Sequence, residues 1–179
     1  MTHAAIGRPA ADEYLPYYGQ YIRLVPDGDV VEILAHQIEE TAALLAAFTP
    51  AQAAWRPAPE EWNALQIVGH LADTERVLAY RALRFARDDA TPLPGVDFEA
   101  YVPAAGFERQ AFADMVAEYA AVRHATVALF RSLDAAAWTR RGLADGQAIS
   151  VRALAFALAG HELHHLLDLR RYAAAAGTA

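Results

Sequence analysis

Apolar residues recur along the chain with a helical period in four long segments. These segments cover residues 29–48, 63–88, 106–133 and 150–175. Asp29, Asn63 and Ser150 stand at the starts of the first, second and fourth segments, where their side chains can cap a helix. Strand-type alternation is nearly absent. Four long amphipathic helices predict an all-α protein, folded as a four-helix bundle.

The remaining segments carry weaker signals. Residues 1–28 contain one short strand candidate, QYIRLV, and we interpret this segment as an extended N-terminal lead-in. The stretch TRRGLADGQA before the last helix is rich in turn-forming residues and predicts a loop. Without a repeat or a low-complexity linker, residues 1–179 are predicted to form a single domain. The simplest arrangement is an up-down bundle, in which the second and fourth helices run parallel.

Composition and charge narrow the function classes. Hydrophobic residues make up 55% of the 179 residues and charged residues 21%, which is typical of a globular protein. The net charge of −7 disfavours nucleic acid and anionic membranes as partners. Charges interrupt every apolar run too early for a membrane span, and the N-terminus lacks a signal-peptide pattern. We therefore expect a cytoplasmic protein.

The candidate chemistry lies in the last helix, in the sequence GHELHH. Since the chain has no Cys, a tightly bound transition metal needs His, Asp or Glu ligands. His161 and His165 are four residues apart, so both imidazoles share one helix face and can reach one ion. His164 is three residues from His161 and can share part of that face, but it points about 100° away from His165.

A third ligand must come from another helix, and His70 is our candidate. In an up-down bundle His70 lies within one or two turns of the height of His161 and His165. Asp168, on the His161 stripe, is a candidate to support a ligand imidazole or to pair with an arginine. Asp73, three residues after His70, is a second such candidate. The alternative is a metal-free bundle in which these histidines are ordinary surface or boundary residues.

His161, Glu162 and His165 also spell H-E-x-x-H, the zinc motif of metalloproteases. Short motifs of this kind arise often by chance, and a helical bundle offers no sheet edge along which a peptide could bind. We therefore disfavour a protease and interpret Glu162 as a carboxylate on the helix surface.

These motifs resemble the DinB-like proteins, also called the DinB/YfiT superfamily of metal-binding four-helix bundles. The resemblance covers nearly the whole chain, and its specific parts are W…GHLADTE around His70 and GHxxHH at His161 to His165. It implies a bundle with an unusual helix order and a divalent metal, nickel or zinc, on His70, His161 and His165. Glu162 and His164 are not ligands in that pattern. It also implies a homodimer.

The resemblance further implies an activity. Characterised members are thiol-dependent transferases or isomerases that use low-molecular-weight thiols such as bacillithiol or mycothiol. The corresponding expectation is a metal-dependent thiol S-transferase acting on a small-molecule electrophile. The alternative is a non-catalytic, stress-related metal-binding protein, in which Asp73 or Asp168 closes the metal's coordination shell.

Overall fold

The computed structural model describes residues 6–175, and these residues are mostly helical. The helices are α1 (Pro16–Ile22), α2 (Val30–Ala46), α3 (Pro50–Ala54), α4 (Ala64–Ala86), α5 (Phe98–Ala105), α6 (Phe112–Arg131), α7 (Ala135–Thr139) and α8 (Val151–Ala175). Two strands, β1 (Arg141–Ala144) and β2 (Gln147–Ser150), and two 3-10 turns, Ala11–Glu13 and Phe107–Arg109, complete the described elements. The long helices α2, α4, α6 and α8 form a four-helix bundle, so the predicted fold class is confirmed.

The predicted caps start three of the long helices. The Asp29 carboxylate accepts a hydrogen bond from the backbone N–H of Val31 at 2.8 Å. Asn63 and Gln66 form a reciprocal capping box at the start of α4, with bonds of 2.9 and 3.2 Å. The Ser150 hydroxyl accepts from the N–H of Ala153 at 3.1 Å. Each bond satisfies a backbone donor that has no partner within its helix.

The order of the helices is not that of a simple up-down bundle. Around the bundle the four long helices follow the order α2, α6, α4, α8. Each packs on the next, and α8 packs on α2 to close the ring. The consecutive long helices α2 and α4 therefore lie on one diagonal, and α6 and α8 on the other. The up-down arrangement, in which every pair of consecutive long helices packs side by side, was therefore wrong, and only α4 and α6 pack in this way. The 47–63 connection, which includes α3, is long enough for the chain to cross to the diagonal position.

The second and fourth long helices, α4 and α8, run antiparallel. The Tyr172 hydroxyl near the end of α8 donates to the Trp62 carbonyl just before α4, at 2.9 Å. Further along α4, His70 meets His161, which lies earlier in α8. The parallel arrangement that we used to place His70 was therefore wrong. By contrast, α8 runs parallel to α2, because Gln37 and Thr41 bond to successive turns of α8.

Three segments differ from their sequence-based expectation. Residues 1–5 lie outside the described residues, but the rest of the predicted extended lead-in holds a 3-10 turn and helix α1. The predicted loop before α8 forms the hairpin β1–β2, with Asp145 and Gly146 at positive φ in a two-residue turn. The predicted helix 106–133 begins only at Phe112, because Gln110 and Ala111 are extended and separate α6 from the 3-10 turn Phe107–Arg109.

Helix α1 crosses α8 at close range. A Cβ added to Gly160 would lie 2.0 Å from the carbonyl oxygen of Tyr21, a backbone atom that cannot move aside like a flexible side chain. The close approach brings the Tyr21 ring to 5.3 Å from the ring of His161. Gly160 thus sets the position of α1 beside the histidines of α8. In residues 6–175, no helix is long and apolar enough to cross a membrane.

We expect Gly160→Ala to destabilise the protein by about 1–3 kcal/mol, the usual cost of inserting a methyl group into a packed site. Urea unfolding followed by circular dichroism measures this cost. Gly19→Ala in α1 is the matched control, because its added Cβ meets only the Tyr14 ring, at 3.6 Å. The control should be neutral or slightly stabilising, since Ala favours a helix more than Gly does. Equal effects of the two substitutions would contradict the close crossing.

Candidate metal centre

Three imidazoles from two helices meet inside the bundle. The His161 Nε2 atom lies 3.1 Å from Nε2 of His70 and 3.2 Å from Nε2 of His165. Ligand atoms of all three residues lie within 4.8 Å of one another, and each residue is at least nine-tenths buried. The structure thus brings together the three residues chosen from the sequence.

Aromatic residues hold the three rings in place. The Trp62 ring packs against His70 at a centroid distance of 4.8 Å and lies parallel to His165 at 6.2 Å. On the other side, the edge of Tyr21 contacts His161. Trp62 precedes the cap of α4, while Tyr21 belongs to α1, so the cluster depends on segments outside the two ligand helices. Sequence patterns did not identify Tyr21 as part of the site.

Burial keeps the three imidazoles neutral. It lowers the pKa of His70 to about 4 and, with the neighbouring His70 and His164, lowers the pKa of His165 to about 3. Burial and the surrounding histidines also hold the pKa of His161 well below its usual value. The His70 ring has a further hydrogen bond with the backbone of Phe98. Neutral imidazoles retain the lone pairs that metal coordination requires.

The cluster fits a divalent transition metal. Two nitrogens that share a tetrahedral zinc ion at about 2.0–2.1 Å lie roughly 3.3 Å apart, close to both short separations found here. Imidazole suits zinc and nickel, and three ligands leave one position open. The cluster faces a cavity of about 450 Å³, and the residues around this cavity include Tyr17, Tyr21, Trp62, Arg81, Asp97 and Asp145. The three residues that would hold the ion therefore border space that a small molecule can enter.

The three predicted supporting residues lie in different surroundings. His164 is exposed, lines the cavity and contacts Tyr21 edge to face at 5.5 Å. Asp73 pairs with Arg76 at 3.2 Å, and Asp168 pairs with Arg171 at 3.3 Å, as in the second of the two interpretations of Asp168. The structure places His164 beside the histidine cluster and engages both carboxylates with arginines instead.

Glu162 is not a surface carboxylate, and that interpretation was wrong. Its side chain is fully buried, accepts a hydrogen bond from the Thr41 hydroxyl and forms an ion pair with Arg123 at 2.5 Å. Helix α8 is buried on nearly all sides from Val151 to Glu162, so it has no surface face in this part. A carboxylate held by a buried arginine is not free to act as the base of an H-E-x-x-H protease, which agrees with our rejection of that function.

Arg123 joins three helices through two buried carboxylates. Its guanidinium donates to Glu75 at 2.7–3.0 Å, to Glu162 and to the Tyr119 hydroxyl. Burial alone would lower the pKa of Arg123, but its anionic neighbours keep this pKa well above the usual value. Glu75 lies on the apolar stripe of α4. A charged residue at a position that should face the core was the signal in the sequence for a buried ion pair. The network ties α8 to α4 and α6 at Glu162, the residue next to His161.

The metal-free protein should lose stability as the pH falls from about 6.5 toward 4. In that window the unfolded chain binds protons at its histidines, while burial keeps the folded imidazoles unprotonated. Stability is therefore constant above the unfolded pKa and decreases below it. Urea midpoints of chelator-treated protein between pH 7.5 and 5 measure the slope above the range where most carboxylates titrate.

His165→Gln should flatten this slope, since a titrating imidazole is removed. The matched control is His124→Gln, at an exposed position of α6. It should leave the slope unchanged. A pH-independent midpoint for the unsubstituted protein would contradict the burial of neutral imidazoles.

The fold and the site together define a four-helix-bundle protein with a buried three-histidine cluster at the base of a cavity. A model of the DinB superfamily matches residues 33–169, and the chain belongs to this superfamily. The resemblance noted in the sequence is thereby confirmed. No curated protein matches the chain.

Among solved structures, the fold is similar to that of YfiT from Bacillus subtilis. YfiT is described as a probable metal-dependent hydrolase with an unusual four-helix bundle topology. The two proteins are 16% identical, the match covers 96% of this chain and 94% of YfiT, and the TM-score is 0.69. At this identity the likeness establishes the fold alone.

Proposed function

We propose that this protein is an enzyme that depends on a divalent metal, nickel or zinc, bound by His70, His161 and His165. The observation that carries the proposal is the convergence of three buried, neutral imidazoles on one point beside the cavity. Such an ion lowers the pKa of a coordinated thiol or water and so supplies a nucleophile at neutral pH.

The reaction that we propose is transfer of a low-molecular-weight thiol to a small electrophile. With an epoxide, the sulfur–carbon bond forms while the carbon–oxygen bond breaks, and the thiol proton ends on the new hydroxyl. Tyr21 can donate a hydrogen bond to that oxygen, because burial and its contact with Tyr17 raise its pKa and keep its hydroxyl protonated. The Tyr17 and Tyr21 hydroxyls lie 3.2 Å apart and both residues line the cavity.

The description of YfiT supports hydrolysis as a second candidate reaction. The same three imidazoles would then serve a water nucleophile. Asp97 and Asp145 line the cavity and are exposed, so either carboxylate is available to accept a proton. The two candidate reactions share the metal site and differ in the nucleophile and in the electrophile that it attacks.

The test begins with protein purified without a His-tag. Elemental analysis should find about one equivalent of metal, and less than about a tenth would contradict the proposal. Metal-loaded protein is then assayed with cysteine, glutathione, bacillithiol and mycothiol against monobromobimane and an epoxide, and in parallel with ester and amide substrates but no thiol. Thiol-dependent turnover that a chelator removes and the metal restores supports the transferase, whereas turnover of the esters or amides supports the hydrolase.

A metal-loaded protein that is inert in both panels would favour the alternative, a non-catalytic metal-binding protein. In that case removal of the metal lowers the melting temperature without any loss of activity. The small-molecule substrate, the homodimer and the cytoplasmic location stay predictions. Light scattering of the purified protein measures the oligomeric state directly.

A further inference from the structure

One buried arginine lines the cavity beside the histidine cluster. Arg81 is only 4% exposed, lies on α4 and lines the same cavity as the three histidines. It donates to the Pro94 carbonyl at 2.9 Å and hydrogen-bonds to the Tyr18 hydroxyl. Among residues 6–175, no carboxylate forms an ion pair with it. Arg123, equally buried, binds two carboxylates. A buried guanidinium with five donors and only neutral partners is suited to bind an anion.

A second polar group lies between Arg81 and the histidines. Thr74 is 5% exposed and lines the cavity, yet its hydroxyl has no hydrogen-bond partner among the described residues. Threonines in helices often bond to the carbonyl four residues earlier, which makes the free hydroxyl unusual. An unpaired buried hydroxyl has a cost of about 1–3 kcal/mol, which a ligand that bonds to it removes.

His70, Thr74 and Arg81 form one stripe of α4. Thr74 and Arg81 follow His70 by four and eleven residues. At 100° per residue, both point within about 40° of the direction of His70 around the helix axis. The stripe places Thr74 roughly 6 Å and Arg81 roughly 16 Å from His70 along the helix axis. One wall of the cavity therefore carries a metal-binding imidazole at one end, a guanidinium at the other and a hydroxyl between them.

We propose that Arg81 and Thr74 form a subsite for a carboxylate of the substrate, several bonds away from the group that meets the histidine cluster. The proposal rests on the proposed function and adds a substrate class to it, namely small carboxylic acids that bear a thiol or an electrophile at a distance. Asp97, Glu99 and Asp145 line the cavity and are exposed. Their charges favour a monoanionic carboxylate over a dianionic phosphate, which they repel more strongly.

The test uses protein loaded with Co²⁺ and a series of ω-mercaptocarboxylates with two to ten carbons. Binding of the sulfur to cobalt gives a near-ultraviolet charge-transfer band, so affinity is measured without any turnover. Each acid is compared with the ω-mercaptoalcohol of the same length. At one or two chain lengths the acid should bind at least about tenfold more tightly, the effect of a hydrogen bond to a charged group.

Arg81→Gln should abolish the preference for the acid and leave the affinity for the alcohol unchanged. Arg81→Lys, which keeps the charge but loses the planar fork, should retain part of the preference. Thr74→Val removes the free hydroxyl at nearly constant shape and should lower the affinity for the acid about threefold to tenfold. Circular dichroism and cobalt stoichiometry establish that each variant is folded and loaded. Equal affinities of acid and alcohol at every length would overturn the proposal.

Failure of cobalt binding would contradict the proposed function and not the subsite. The metal-free protein then tests the subsite directly, with hexanoate and hexanol as probes and the ¹⁵N resonance of the Arg81 Nε atom as the readout. A shift with hexanoate and not with hexanol, at the resonance that Arg81→Gln removes from the spectrum, supports the carboxylate subsite. If the resonance does not shift with hexanoate up to about 50 mM, a concentration far above the dissociation constant of a functional subsite, the proposed subsite is overturned.

Discussion

Arg123→Met is expected to destabilise the protein by about 3–5 kcal/mol, a large part of the stability of an ordinary domain. The substitution keeps an unbranched side chain but leaves Glu75 and Glu162 buried without their cation. These carboxylates are 2% and 0% exposed, so water cannot replace the guanidinium. Loss of the ion pairs also removes the polar link that joins α8 to α4 and α6. Urea unfolding and the melting temperature measure the effect.

Arg131→Met is the matched control on the same helix. Arg131 pairs with Glu32 at 3.1 Å, but both side chains are more than half exposed. Such an ion pair contributes at most about 1 kcal/mol. A triple variant with Arg123→Met, Glu75→Leu and Glu162→Leu should recover most of the lost stability, because none of the three buried charges of this network remains. If Arg123→Met were as mild as Arg131→Met, the buried network would not stabilise the bundle.

The histidine cluster could be predicted from the sequence because most of it is local. His161 and His165 share a helix face whatever the tertiary structure. His70 was selected with an incorrect helix direction, yet the structure brings it into contact with His161 and next to His165. His161 lies about 15 Å from one end of α8 and about 21 Å from the other, so reversing the helix hardly changes its height.

The buried ion-pair network could not be assembled from the sequence. It joins Glu75, Arg123 and Glu162 from three helices, and an apolar stripe does not specify which helices are neighbours. The long connections allow both a side-by-side and a diagonal order at similar entropic cost. The surface assignment of Glu162 failed for a related reason, since a helix buried on nearly all sides has no polar face that periodicity can reveal.

The hairpin and helix α1 were missed for different reasons. Asp145-Gly146 is a strong two-residue hairpin signal, but the flanking strands are only four residues long, too short for a clear alternation. Helix α1 has seven residues and includes Gly19, so its propensity is low. Its packing against Gly160 of α8 stabilises it, and such a contact is visible only in the folded chain.

His165→Ala is expected to reduce bound metal from about one equivalent to less than a tenth. In the proposed site the substitution would leave only two nitrogen ligands, His70 and His161, too few to hold a divalent ion against chelation. For the unsubstituted protein, metal at about a thousand times its dissociation constant adds roughly 4 kcal/mol of stability. His165→Ala should lose this gain, so that its melting temperature no longer responds to added metal.

His164→Ala distinguishes a ligand from a neighbour in the same histidine-rich sequence. The His164 ring is exposed and contacts the rings of His165 and Tyr21, and it does not belong to the group of converging nitrogens. His164→Ala should keep about one equivalent of metal and most of the metal-dependent rise in melting temperature. Both variants, His165→Ala and His164→Ala, are dialysed in parallel against a weak chelator, and elemental analysis then measures the metal that each retains. Equal losses would mean that His164 contributes as much as His165, and a three-ligand site with an open position would have to be abandoned.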